Sequence, residues 1–292
     1  MDTLLAEYMR HLRVERGLSE NTLLTYGYQL KNYLAFLVSA KKNPLSVNRN
    51  DIIAYLEAKK NSGRRSSTLF TCAIALRQFH KFLKDRGHID TNPIEEMRLP
   101  KFKQRLPEPL GVEEMEKLLN LPTGSKFHHV CTKAALELLY STGMRVSELV
   151  KLRLEQVNFE EGWIRVMGKG GKERLVPLGL KAREALVFYM KAREAQFSLS
   201  QDTLFLNSRG HGLTRSVFWR QLQAISMRVK IRERLHPHRI RHSAASHMLA
   251  GGADIRIIQE LLGHKSILTT QRYTHVSPEL LKFTCRKTHP HF

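Results

Sequence analysis

A mainly helical chain of two domains with one small β-sheet is the fold that the sequence predicts. Three observations carry this expectation. Apolar residues recur at helical spacing through the first hundred positions, a proline-rich basic stretch then breaks the period, and two short β-prone runs stand together in the second half. At 292 residues the chain is long enough for two hydrophobic cores.

The elements follow in order. In "TYGYQLKNYLAFLVSA", Leu30, Tyr33, Leu34 and Leu37 fall on one helical face. In "STLFTCAIALRQFHKFLKD", Leu69, Cys72, Leu76, Phe79 and Leu83 do the same. Ser19, Asn50 and Ser67 precede helical runs at N-cap positions. Between the helices, "SGRRSST" sets Arg64 and Arg65 beside hydroxyl side chains, a mix that can hold phosphates at a helix N-terminus or stand as a solvated loop. The three prolines and basic cluster of "RLPKFKQRLPEPLGVEE" place an interdomain linker at 99–109, between a helical domain at 1–98 and a mixed domain at 110–292. "GVEEMEKLLNL" and "TKAALELLYSTGMRVSELVKL" resume the helical spacing. Trp163–Met167 and Arg174–Leu178 then read as two strands about a Gly/Lys-rich turn, and Thr203–Asn207 is a candidate for one more. The remainder returns to helices.

Charge narrows the partners. Lys and Arg number 48 against 27 Asp and Glu, a formal net charge of +21. A field of one sign on that scale attracts polyanions, nucleic acid first, with an anionic membrane surface or an acidic protein as the alternatives. No apolar run reaches the roughly 18 residues of a membrane span, and the start carries no signal-peptide pattern. Cys72, Cys131 and Cys285 have no CxxC spacing and leave one unpaired, so neither a zinc site nor a disulfide framework is expected. A reducing, cytoplasmic setting is the default.

Several residues could carry chemistry. Arg145 follows "STG", with Glu148 three positions on. Lys169 and Lys172 lie in the turn "GKGGK". In "HPHRIRHSAASH", His238 and Arg241 point to one side of a helix start. His236, His242 and His247 of that segment invite a metal reading. The interleaved arginines would repel a cation, and no acidic or cysteine cluster accompanies them. Tyr273 closes "LLGHKSILTTQRY". Each has a bland reading alone: an ion pair, a solvated lysine, a packing tyrosine. As a set, without a catalytic carboxylate pair, they suit covalent attack on a phosphodiester by tyrosine. Arginine forks grip phosphate oxygens, and a tyrosine hydroxyl with a free pKa of roughly 10 needs a base or a positive field to act as nucleophile. A lysine or histidine can protonate the leaving oxygen.

The motifs "STGMRVSELVKL", "IRVMGKGGKERLVPL", "HPHRIRHSAASHML" and "GADIRIIQELLGHKSILTTQRYTHV", with the terminal "THP", resemble the tyrosine recombinase/integrase family in order and separation, most closely its Xer-like branch. "ERGLSENTLLTYGYQLKNYLAFL" and "KFKQRLPEPL" extend the resemblance over nearly the whole chain. It implies a two-domain, C-shaped DNA clamp: an all-helical core-binding domain and a mixed α/β catalytic domain. By position, Arg145 and Arg241 match the pair that clamps the scissile phosphate. Lys169 matches the hairpin lysine that protonates the leaving 5′-oxygen, with Lys172 its rival. His238 matches a proton-transfer or phosphate-binding histidine, His264 the residue beside the phosphate, and Tyr273 the nucleophile that forms a 3′-phosphotyrosyl bond. Glu148 would orient Arg145. Arg64, Arg65, Lys172 and Arg239 are read as DNA contacts.

The same resemblance implies a homotetramer joining two specific sites in double-stranded DNA, with or without a second recombinase or accessory protein. The tail "SPELLKFTCRKTHPHF" would dock on a neighbouring protomer. No cofactor is implied, neither metal nor ATP, and the setting would be a bacterial-type cytoplasm at the nucleoid. Ser243 and Ala244 stand where family members often carry a bulky apolar residue, and Arg239 where an apolar one is common. These departures favour a relative carried on a mobile element over a chromosome-dimer resolvase. Two rivals remain: a type IB topoisomerase-like enzyme with the same tyrosine chemistry, and an architectural DNA-binding protein, which would need neither Tyr273 nor His264.

Overall fold

The computed structural model describes residues 2–97, 108–121, 124, 126–168, 171, 173–197, 201–231, 234–263 and 277–292. The chain divides into two compact units, Met1–Leu106 and Pro107–Phe292.

The first unit is four helices: α1 (Asp2–Val14), α2 (Glu20–Ser39), α3 (Arg49–Asn61) and α4 (Ser66–Asp85). Their apolar stripes meet in one core, in which Leu30, Leu37, Leu76, Phe79 and Leu83 are fully buried. Each such side chain contributes about 1.5–3 kcal/mol relative to exposure. Inside this core the Tyr33 hydroxyl and His80 Nε2 lie 3.0 Å apart and satisfy one another. Burial pushes the His80 imidazole down to about 4, so the pair is neutral. Ser19 is the N-cap of α2, but two other caps differ from the sequence expectation. Asn48, not Asn50, caps α3, because its side chain accepts from the Asn50 and Asp51 N–H groups while Asp51 accepts from the Asn48 N–H. Helix α4 opens two residues earlier than expected, with Arg65 at the N-cap and Ser67 inside the first turn.

The second unit contains α5 (Val112–Leu119), α6 (Phe127–Thr142), α7 (Val146–Leu149), β1 (Val157–Asn158), β2 (Trp163–Met167), β3 (Glu173–Pro177), α8 (Leu180–Gln196), α9 (Arg215–Arg228), α10 (Pro237–Ala250), α11 (Ile255–Leu262) and α12 (Pro278–Thr288). Helix α6 is buried on nearly every side and is the axis of the core, packing against α8 and α10. The sheet is antiparallel in the order β1-β2-β3, with Ile164 paired to Val176 and Met167 to Glu173. Ile164, Val166 and Val176 turn inward while Arg165, Met167 and Leu175 face solvent.

The third strand is β1, not Thr203–Asn207. Leu204, Phe205 and Leu206 are fully buried, but their backbone bonds go elsewhere than to the sheet. Leu204 N–H donates to the Leu152 carbonyl, and the Tyr189 hydroxyl both donates to the Leu204 carbonyl and accepts from the Leu206 N–H. A buried tyrosine and single antiparallel bridges to Arg153 and Gly212 thus satisfy this backbone in place of sheet neighbours. At the C-terminal end, α12 packs on α10, α11 and β3 of its own unit. His289 Nε2 meets the Tyr140 carbonyl at 3.1 Å, and His291 Nε2 lies 2.9 Å from Glu137 Oε2. Among the described residues no helix is long and apolar enough to cross a membrane.

Candidate active site

The site begins where α6 ends. Gly143 takes a left-handed conformation, φ 58°, and its N–H closes on the Leu139 carbonyl. A Cβ there would stand 2.6 Å from Leu262 Cδ2, so the position requires glycine for space as well as for φ. The sharp exit puts Arg145 at the N-cap of α7. Glu148, at the third helical position, accepts the Arg145 backbone N–H at 2.9 Å and its Nη1 at 2.9 Å.

Helix α10 supplies the second arginine. Pro237 at its first position starts the helix cleanly, which sets Arg241 on the inner side. Arg241 is buried, at 4% exposure, and spans two helix ends. Its Nη1 donates to the Gly143 carbonyl at 2.7 Å and its Nη2 to the Leu262 carbonyl at 2.9 Å. Helix α11 begins with Asp254 capping the Arg256 N–H and ends at Gly263, φ 64°. Its last carbonyls have no helical partner, and arginines take them in succession. Arg174 Nε donates to Leu261 at 3.0 Å, Arg241 to Leu262, and Arg145 Nη2 to Gly263 at 3.3 Å.

Two guanidiniums, Arg145 and Arg174, thus bind one carboxylate, and Arg241 lies close enough to feel its charge. Burial alone would push the Glu148 carboxyl up, yet the bonds from Arg174 and Arg145 outweigh it and hold the carboxyl below its usual range. Burial, then the positive charge of Arg145, pulls Arg241 down to about 10, which leaves it charged at neutral pH. His238 is on the exposed side of α10. Burial of part of the ring, then Arg241, His242 and Arg145, holds its imidazole below the ordinary histidine value. The four groups Arg145, Arg174, Arg241 and Glu148 carry a surplus of two positive charges, suited to binding an oxyanion such as a phosphate group.

The sequence-derived residues fall unevenly. Arg145, Glu148, His238 and Arg241 come together. Lys169, Lys172, His264 and Tyr273 lie outside the described residues. Arg64 and Arg65 are exposed in the first unit. Arg239, read as a DNA contact, is buried at 6% exposure, and its Nε donates to the Glu108 carbonyl at 2.7 Å. Ser243 has a comparable packing role, since its Oγ accepts the Leu110 N–H at 2.8 Å and donates to the Arg239 carbonyl at 2.9 Å. His247 is held by the Tyr140 hydroxyl at 2.7 Å and the Leu110 carbonyl at 2.8 Å, and His236 Nδ1 accepts from Trp219 Nε1 at 3.1 Å. Sequence reasoning missed Arg174. Its signal is the strand period: Arg174 shares a face with buried Val176, where an arginine needs a partner.

Comparison with known proteins agrees with this architecture. Residues 109–279 match the Phage integrase family and residues 5–87 match the Phage integrase N-terminal SAM-like domain. Tyrosine recombinase XerD of Halalkalibacterium halodurans is 39% identical over 290 residues, 98% of this chain and 97% of that protein. Tyrosine recombinase XerD of Oceanobacillus iheyensis is 38% identical over 97% of each chain. Among solved structures, XerA recombinase is 26% identical with a TM-score of 0.51, over 100% of this chain and 99% of that one. A lambda integrase dimer bound to a COC′ core site shares the fold, with a TM-score of 0.73 and 22% identity over 95% of this chain and 99% of that one. The chain belongs to the phage integrase family and is an Xer-like, site-specific tyrosine recombinase.

Proposed function

We propose that the chain cleaves and rejoins DNA strands through a 3′-phosphotyrosyl intermediate formed by Tyr273, without metal or ATP, as a tetramer on two copies of a specific duplex site. The observation that carries this reading is the set of three guanidiniums held by fixed carbonyls, two of them also bonded to the single carboxylate Glu148. Such a site is charged and oriented before substrate arrives, so it stabilises the extra charge of a pentavalent phosphorane without reorganising. Arg145 and Arg241 would bind the two non-bridging oxygens. The Tyr273 oxygen attacks phosphorus, the bond from phosphorus to the 5′-oxygen breaks, and Lys169 gives that oxygen its proton, with Lys172 as the alternative donor. His238, whose imidazole is held below the ordinary histidine value by partial burial and then by its cationic neighbours, suits the role of base for the tyrosine proton. His264 would add a bond to a phosphate oxygen. The phosphotyrosyl ester conserves the energy of the original bond, so the reverse attack by a 5′-hydroxyl rejoins a strand. Arg64 and Arg65 would add phosphate contacts from the first unit. If the tail docks on a neighbouring protomer, it must first give up the His289–Tyr140 and His291–Glu137 contacts.

A nicked suicide duplex carrying the site recovered from a randomised library tests the proposal. Wild type should yield a denaturation-resistant protein–DNA adduct, and Tyr273→Phe should bind the same duplex and yield none. An adduct of normal yield from Tyr273→Phe moves the nucleophile elsewhere.

A further inference from the structure

The proposed chemistry uses Arg145 and Arg241 as phosphate ligands and leaves the third arginine of the site without a task. Arg174, on β3, has a side chain only 10% exposed. It donates Nη1 to Glu148 Oε1 at 3.2 Å and Nη2 to Glu148 Oε2 at 2.8 Å. Arg145 gives Nη1 to Oε1 and its backbone N–H to Oε2 of the same carboxylate, each at 2.9 Å. A carboxylate has about four acceptor sites. Glu148 therefore receives four donors, and Arg145 can place only one side-chain bond on it.

The consequence is geometric. An arginine facing an unoccupied carboxylate closes on it in a bidentate fork, because that is the stronger arrangement. Arg145 closed in that way would turn two of its N–H groups toward Glu148 and away from a phosphate. Arg174 fills the sites that such a closure needs. It also fixes the end of α11 through Leu261, and its side chain fills the space beside Gly263, where a Cβ would meet Arg174 Cδ at 3.2 Å. Gly263 is the last described residue before His264 and the segment that leads to Tyr273.

We infer that Arg174 is a positioning residue of the recombinase reaction: it saturates Glu148 so that Arg145 stays open to the scissile phosphate, and it sets the end of α11 against the same carboxylate. This rests on the tyrosine chemistry proposed above. It separates Arg174 from a merely structural ion pair, because a structural pair would support folding and leave Arg145 unaffected.

The test is single-turnover cleavage of the nicked suicide duplex by wild type, Arg174→Ala, Arg174→Lys, Arg145→Ala and the Arg174→Ala/Arg145→Ala double variant, with duplex affinity and Tm measured alongside. Arg174→Ala should cleave roughly 10–100-fold more slowly at saturating DNA, the usual cost of losing an outer partner of a reacting group. Arg174→Lys should fall between, since lysine restores charge and one bond to Glu148 but not the fork. In the Arg145→Ala background the same change should add little further loss, because its effect runs through Arg145. The pH profile supplies the readout that folding alone would not move. Glu148 without Arg174 keeps its burial and loses two donors, so it takes up a proton at higher pH than in wild type. The acid limb of cleavage should therefore move to higher pH in Arg174→Ala. Wild-type rates in Arg174→Ala, fully multiplicative losses in the double variant, or an unmoved acid limb overturns the inference. A wild type that forms no adduct on its own site overturns the tyrosine chemistry instead.

Discussion

Two groups of arginines in this chain have the same charge and opposite physical settings. Arg145, Arg174 and Arg241 are fixed by one carboxylate and by the carbonyls at the ends of α6 and α11. Arg64 and Arg65 stand exposed at the start of α4, in a loop of hydroxyl side chains. A charge in water attracts DNA through a screened, long-range field and carries little directional information. A charge held among carbonyls has lost its freedom in folding, and it meets a phosphate in one orientation. Composition cannot separate these two uses of arginine; the partners of each guanidinium do.

Replacing Arg241 tests the held group most severely. Arg241→Ala should slow adduct formation at saturating DNA by roughly 10²–10³-fold, or about 3–4 kcal/mol, the cost of removing one preorganised donor from a developing oxyanion. Arg241→Lys should not restore it, because an ammonium cannot bridge the Gly143 and Leu262 carbonyls and still face the phosphate. Wild-type rates in either variant would break the assignment.

The glycines beside the two groups sharpen the contrast. Gly143 and Gly63 both have positive φ, 58° and 75°, so alanine strains the backbone at each by about 1–2 kcal/mol. Gly63 has nothing within 4 Å of an added Cβ, whereas at Gly143 the Cβ would meet Leu262 at 2.6 Å. Gly143→Ala should therefore cost about 2–4 kcal/mol in denaturant unfolding, strain and overpacking combined, and should impair cleavage. Gly63→Ala should lose only the strain and keep its cleavage rate. Equal losses from the two variants would show that Leu262 gives way and that the α6–α11 contact does not set the clamp.

How much of this was legible before the fold was known follows from the range of the interactions. The helices of the first unit could be read because a period of 3.6 is written over 13–20 consecutive residues. Strand β1 could not, since two residues carry no period. The run Thr203–Asn207 imitates a strand because its centre is apolar; its backbone bonds go to Leu152, Leu213 and His211 and to the Tyr189 hydroxyl, none of them in the sheet. Arg145, Arg241 and Glu148 were legible through their motifs, and Glu148 also through its spacing of three from Arg145. Arg174 was not, because its partners are 26 and 87 positions away in sequence. The bond of Arg239 to the Glu108 carbonyl was not legible for the same reason, since it spans 131 positions. An arginine's neighbours in the chain say that it is charged; its neighbours in space say what the charge is for.

The exposed pair gives the smallest effect and the cleanest separation. If Arg64 and Arg65 act through phosphate contacts, Arg64→Ala or Arg65→Ala should weaken duplex binding about equally for specific and unrelated sequences. The slope of log affinity against log salt should fall by roughly 0.9 for each phosphate that is no longer neutralised. At saturating DNA the cleavage rate should be unchanged, since neither side chain belongs to the unit that holds Arg145 and Arg241. Titrations of duplex binding between low and moderate salt, paired with single-turnover cleavage, read both quantities on the same preparation. A loss confined to one DNA sequence would make these arginines readers of bases. A loss of cleavage at saturation would tie the loop to the reaction itself and erase the distinction between held and solvated charge.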